Sequence, residues 1–457
     1  MHNCRTPQTD RRPALSPLRL HRFFRYTVPL ILVLAIMFAP VELLFSAGSL
    51  AESKGFPISI SGPLSTRAEA SAPWKHEYYL RGDEAFQAHS RQIIETGITA
   101  PSGQGEVYYA GPSDDVQGII NMLGPGDTLY LRGGVYNRKI RLYSGVQGRE
   151  DAYITIAAAP GEEVVFDGSG LNGHDQDQDG PSMFWLYGCG YVQLTGFEVR
   201  DAHGRDASAI LLEPGTHHVV VSDLTIHNIT TPSPKSEDHC CNAILLMGRG
   251  GSTISNVLLF RNNIYDCKTG WSEAISVAAN VSSVNIVANQ LTNTGNIAIC
   301  FAGNYGNAPS SVDHPVHGLV FGNIVTDCHC GYDTGFAIYA DGTQDVDFIC
   351  NTVRDCDGGI EVGAEESGST HTILVANNLL VNCAEAAVGL GTPGGSGHVR
   401  DVTVYGNRYR NVGWLSGGAS ILRFGASGVN SYDNYYIDND EDMDLPFFDT
   451  YENPALP

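Results

Sequence analysis

The stretch DVDFICNTVRDC (345–356) decides how the chain folds. Val346 and Phe348 alternate with polar neighbours, the period-two pattern of a strand with one buried face, and Asn351, Asp355 and Cys356 follow at fixed offsets. Working outward, the unit V-x-h-x-x-N-x-h-x-[DN]-x, with h usually apolar, recurs eight times. Its acid or amide falls at Asp201, Asn228, Asp266, Asn293, Asp327, Asp355, Asn382 and Asn411. Four positions earlier the last six copies carry Asn262, Asn289, Asn323, Asn351, Asn378 and Asn407, a run of one residue type that predicts a stacked ladder. The asparagine column predicts a turn in the left-handed backbone region.

Three short strands and three turns in each unit of about 27 residues describe one coil of a solenoid, with successive coils about 4.8 Å apart. The predicted class is all-β, a right-handed parallel β-helix over 107–430 with a short N-terminal capping helix. Asp114 is expected to cap that helix, which runs to Leu123 and turns Val116, Ile119, Ile120 and Leu123 to the open end of the core. Cys267, Cys328, Cys356 and Cys383 each follow the acid or amide and read as small buried hydrophobes rather than reactive thiols.

The segments outside the repeat differ from it. Residues 1–51 hold six arginines ahead of an apolar stretch at 28–41, with small residues following, which reads as a secretory signal peptide; an uncleaved membrane anchor is the other reading. Residues 52–106 read as a linker or extension with a short helix around 83–95, and 431–457 as a C-terminal cap or tail. The expected location is secreted, periplasmic or at the cell surface, with membrane contact only through an uncleaved N-terminus.

The chain has 457 residues, too many for one ordinary core unless it is an elongated repeat. Its 52 glycines and 17% charged residues argue against disorder, coiled coil and collagen. A net charge of −23 excludes a general nucleic-acid surface. No G-x-S-x-G, H-E-x-x-H or paired C-x-x-C motif appears.

Several blocks together resemble the secreted right-handed parallel β-helix proteins of the pectate-lyase-like superfamily. They are GDTLYLRGGVYN (126–137), ITIAAAPGEEVVFDGSG (154–170), SEAISVAANVSSVNIVANQLTNTGNIAI (272–299), GFAIYADGTQDVDFICNTVRDCDGGIEVGAEESG (335–368) and VANNLL (375–380). The resemblance implies a scaffold that carries polysaccharide lyases, hydrolases, epimerases, esterases and non-catalytic surface proteins.

Two constellations carry candidate chemistry. Asp175, Asp177 and Asp179, ahead of Gly180, place an acid at every second position of a tight loop, an oxygen-only set that suits Ca²⁺; a solvated acidic loop is the plain alternative. The second comes from stacking: Tyr339 and Asp341 point outward from one strand and Glu361 from the next, with Glu365 beyond it and Glu273 and Asn296 in earlier coils. Asp341, Glu361 and Glu365 are candidate calcium ligands, or carboxyl groups for glycosidic chemistry. β-Elimination needs a base, which in this superfamily is usually a cationic side chain used in its neutral form; Lys268 adjoins a repeat column and is the candidate. Trp271, Glu273, Tyr339 and Arg354 are candidate substrate contacts, with Tyr305 and Tyr332 as turn aromatics. The expected function is a Ca²⁺-assisted lyase of a uronate-containing polysaccharide, with Lys268, Asp341 and Glu361 as the catalytic set. The alternatives are a non-catalytic carbohydrate-binding β-helix, or a glycoside hydrolase or epimerase on the same face.

Overall fold

The computed structural model describes residues 79–101, 103, 105–173, 180–232, 240–331 and 335–437. The signal-peptide segment, the acidic loop at Asp175, Asp177 and Asp179, and Tyr332 lie outside the described residues. Period-two strands separated by turns fold into three parallel sheets of 12, 11 and 10 strands, each taking every third strand of the chain once past the first strand of the 12-stranded sheet, which pairs with the second. One coil runs through His217–Ser222 in the first sheet, Thr225–His227 in the second and Cys241–Gly248 in the third, and Ile254–Phe260 then begins the next coil. The chain is a right-handed parallel β-helix, as its repeat predicts.

Inward side chains such as Val346, Phe348, Ile338 and Ile360 merge into one continuous apolar core. Cys267, Cys328, Cys356 and Cys383 sit in that core, at most 2% exposed. All described cysteines are free, although Cys356 and Cys383 are direct rung partners. Burial pushes the Cys267 and Cys328 thiols up to about 12, which leaves them as unreactive packing groups.

The asparagine column is the tightest feature of the coil. Asn351 Oδ1 accepts both the backbone N–H and the Nδ2–H of Asn323 at 3.0 Å, while its own Nδ2 donates to Val320 O at 2.9 Å and to Asn378 Oδ1 at 3.1 Å. The same bonds link Asn262 to Asn289 and continue through Asn407 to Asn434. The left-handed residue of this turn is the one before each asparagine, as at Arg261, Ala288, Cys350 and Asn377, so the column is selected for its amide and not for backbone tolerance. The repeat's acid-or-amide positions, from Asp201 to Asn411, do carry the left-handed conformation at all eight places.

Both ends of the sequence reading need adjustment near the N-terminus. The capping helix is shorter than expected, Val116–Ile120, and Asp115 rather than Asp114 caps it by accepting from Gly118 N at 2.9 Å. Past Ile120 the chain tightens, Met122 N donating to Ile119 O at 2.9 Å and Leu123 N to Ile120 O at 3.2 Å. Val116, Ile120 and Leu123 still close the core. The helix Glu84–Thr96, capped by Asp83, lies on the outer face of the first sheet, where Phe86 and Ile93 pack with Val220, Leu258 and Leu319. Arg81 anchors it to Asp347 at 2.7 Å.

The ladder makes a graded prediction. Asn351→Ala leaves buried donors and acceptors on both neighbouring coils and is expected to cost about 3–5 kcal/mol in urea unfolding. Asn434→Ala, at the ladder's last and partly exposed rung, is expected to cost about 1 kcal/mol. Equal losses would show that the internal amides contribute nothing beyond the turn.

Candidate active site on the third sheet

Rung pairing brings distant residues into columns on the outer face of the third sheet. Ser276 pairs with Cys300, Cys300 with Tyr339, and Tyr339 with Glu361; in the parallel column Ala302 pairs with Asp341. Ile338, Ala340, Ile360 and Val362 alternate with them and face the core. The chain leaves these strands through long turns at 303–315, 364–368 and 391–397. These bring Tyr305, Glu365 and Thr392 over the strand ends. Asp313, itself buried, ties the first turn by accepting from Ala308 N at 3.1 Å.

The result is a hydrogen-bonded carboxyl cluster. The Tyr305 hydroxyl donates to Asp341 Oδ2 and lies 3.2 Å from Glu365 Oε2. Tyr339 Oη donates to Glu365 Oε1 at 3.2 Å and lies 3.3 Å from Thr392 Oγ1. Asp341 Oδ1 accepts the backbone N–H of Glu365 at 2.8 Å. A glycine at 363 is required here, because a Cβ would come within 2.5 Å of the Tyr339 hydroxyl.

Alternation alone predicts Tyr339 and Asp341 in solvent, yet they are 5% and 1% exposed, because the turns fold over them. Glu361 and Glu365 keep a partial window to the outside, although each carboxyl is packed on its other sides. Glu273 is buried, held by Ser272 Oγ at 3.1 Å. Among the described residues none of these four carboxyl groups forms an ion pair. Burial pushes all four upward. Glu273 rises to about 7. Burial, then the charges of Glu365 and Asp341, hold Glu361 well above the usual carboxylate range. Burial and Asp341 raise Glu365 too, but the Tyr305 and Tyr339 hydroxyls pull it partly back. The two differ in their surroundings because tyrosine hydroxyls bond Glu365 and not Glu361. The tyrosines themselves are pushed up by burial and the adjacent carboxylates, and so act as donors.

The other expected site residues lie elsewhere or at the margin. Lys268 is exposed on the turn between the second and third sheets, and among the described residues its ammonium makes no ion pair. Trp271 is half-buried on the same turn, three residues on. Arg354 belongs to the second sheet, where it pairs with Thr326. Asn296 is buried and donates to Ser272 O at 3.2 Å. Thr392 and Gly363 escape sequence reading, since only the rung register reveals what they face. The donors at Asp341, Glu361 and Glu365 are oxygen-only, as calcium takes, yet no group of three or more His, Cys, Asp or Glu among the described residues is placed to hold a metal ion.

No family model matches the chain. An uncharacterized protein of Bacillus subtilis (strain 168), YwoF, is 25% identical over 280 residues, which cover 58% of this chain and 57% of that protein. The likeness therefore spans little more than half the length of that relative. Among solved structures, a lacto-N-biosidase from Eubacterium ramulus is 14% identical with a TM-score of 0.45, covering 75% of this chain and 70% of its own. A polysaccharide lyase from Pseudopedobacter saltans is 13% identical with a TM-score of 0.40, covering 77% and 97%. The A-module of a mannuronan C-5 epimerase from Azotobacter vinelandii is also 13% identical with a TM-score of 0.40, covering 76% and 95%.

Glu273 yields a stability prediction. Its carboxyl holds a proton more tightly folded than unfolded, so the folded state loses stability as pH rises from 4.5 through about 7. Glu273→Gln removes that ionisation and is expected to raise stability by about 1–3 kcal/mol at pH 8 while leaving pH 4 unchanged. Parallel urea titrations at the two pH values check it; an equal change at both would assign the effect to packing.

Proposed function

We propose that the protein is an exported carbohydrate-active enzyme that cleaves glycosidic bonds of an acidic polysaccharide on the outer face of its third sheet. The observation that carries this reading is the pair Glu361 and Glu365, the two partly exposed residues of the cluster, of which only Glu365 is bonded by the Tyr305 and Tyr339 hydroxyls. A pair of carboxyls in unlike surroundings divides the roles of acid and base. Glu361, protonated, gives its proton to the glycosidic oxygen as the bond to the anomeric carbon breaks and the leaving sugar departs as an alcohol. Glu365, pushed up to about 8 by burial and by Asp341, takes the proton of the attacking water in the fraction that has lost its own. Tyr305, Tyr339 and Asp341 position Glu365 from behind. A cluster that retains protons also repels a polyanion less than four carboxylates would.

Elimination from a uronate polymer is the second reading, favoured by the oxygen-only donors that lack ion-paired cations. There Lys268 would be the base, with Trp271 and Tyr339 nearest the chain, and Asp341, Glu361 and Glu365 would supply the oxygen ligands for a Ca²⁺ that neutralises the sugar carboxylate; Arg354, on the second sheet, and the buried Glu273 take no part. Asp175, Asp177 and Asp179 belong to this reading as a structural calcium loop.

Purified protein is to be incubated with polygalacturonate and alginate. New reducing ends without unsaturated-uronate absorbance indicate hydrolysis; both signals together, lost on chelation, indicate Ca²⁺-assisted elimination; neither signal from any acidic polymer sinks the proposal in favour of a binding protein. Glu361→Gln is expected to lower turnover by about 10²–10⁴. Activity is expected to be bell-shaped in pH, falling at low pH as Glu365 gains a proton and at high pH as Glu361 loses one. Tyr305→Phe removes a bond that favours ionised Glu365, so the acid limb should move to higher pH.

A further inference from the structure

The columns that end at the carboxyl cluster begin at a second, chemically different place. Followed backward along the rungs, Glu361 and Tyr339 lead through Cys300, Ser276, Leu245 and Leu211 to Trp185, which in turn pairs with Arg141. Six rungs of about 4.8 Å place Trp185 about 29 Å from Glu361 on the same face. Tyr187 pairs with Glu213 in the column alongside.

This end is built rather than merely exposed. The indole Nε1 of Trp185 donates to Glu213 Oε2 at 2.8 Å, and Glu213, only 6% exposed, is held on its other oxygen by Arg249. That fixes the ring plane. The Arg141 guanidinium lies over the indole at 5.6 Å, and Tyr143 meets it edge-on with ring centroids 6.2 Å apart. Tyr143 and Tyr187 are 42% and 46% exposed, which no requirement of the core explains. Oriented aromatic rings offer flat apolar area to sugar faces, and the Arg141 guanidinium on the indole brings a positive charge beside them, while Arg249 is neutralised by Glu213.

We propose that Trp185, with Arg141, Tyr143 and Tyr187, forms a remote subsite that grips a uronate-bearing stretch of the same polysaccharide chain that is cut at Glu361 and Glu365. The inference rests on the reading that this sheet face cleaves a polysaccharide, and it adds that the enzyme favours long chains able to span both places. Between the two places the column carries Leu211, Leu245, Ser276 and Cys300 before it reaches Tyr339, and Ser276 and Cys300, 3% and 2% exposed, lie under neighbouring side chains.

The test is affinity electrophoresis of the full chain in gels containing polygalacturonate, alginate or neutral xylan, joined to turnover of polymer and of short oligouronates. Trp185→Ala is expected to weaken retention by an acidic polymer about ten-fold and to lower the ratio of polymer to short-chain turnover by a similar factor. Trp185→Phe should recover most of both, and Tyr187→Ala, at an exposed position, guards against misfolding as the cause. Glu361→Gln should keep full retention. Undiminished retention in both Trp185→Ala and Tyr187→Ala overturns the subsite even if cleavage is confirmed, and equal retention in xylan overturns its acidic preference. Retention lost in Trp185→Ala when the wild-type protein cleaves nothing would sink the catalytic reading and leave the grip standing.

Discussion

A buried amide ladder holds the register on which everything else depends. From Asn262 to Asn407 each side chain bonds to the next coil's amide and to backbone groups of the coil before it, inside a turn almost free of solvent. Unpaired, these groups would cost more than the ladder returns, so the turn tolerates a shift of neither one residue nor one coil. Parallel strands have no hairpin to set their pairing, and a one-residue slip would exchange the inner and outer faces. The ladder removes that freedom. Because register is fixed, Ser276, Cys300, Tyr339 and Glu361 stand in line, and a site can be assembled from residues far apart in the chain.

The molecule then spends this order on an unfavourable arrangement. Glu273, Asp341, Glu361 and Glu365 gather at low exposure without ion pairs among the described residues. What makes the gathering tolerable is proton retention together with hydroxyl and backbone donors from Tyr305, Tyr339 and Glu365 itself. A scaffold whose coils are pinned from Asn262 onward can hold such groups close; a softer one would relax them apart. At the far end of the face, in coils before the ladder begins, Trp185 is fixed through Glu213 and Arg249. The proposed chemistry and the proposed grip thus lie on one sheet, separated by the number of rungs between them.

The fold was written in the order of residues. Period-two pairs such as Val346 and Phe348, the asparagines and the buried cysteines all repeat with the coil, and a repeat needs no knowledge of distant contacts to be read. The left-handed positions from Asp201 to Asn411 were marked by the same means, because acids and amides tolerate that conformation. The alternation also placed Tyr339, Asp341 and Glu361 on one outer face. What it could not show was that the face is roofed. Whether Asp341 meets water depends on where the turns at 303–315, 364–368 and 391–397 come to rest, and turns have no period. The partnership of Tyr305, separated by 36 residues from Asp341 and by 60 from Glu365, was invisible for that reason. So was the link from Trp185 to Glu361, which needs six successive registers and not merely the repeat. Local pattern determined the coil, since each strand and turn answers to its neighbours in sequence; tertiary structure alone decided burial, and with it the protonation of the site, since both depend on groups that only folding brings near.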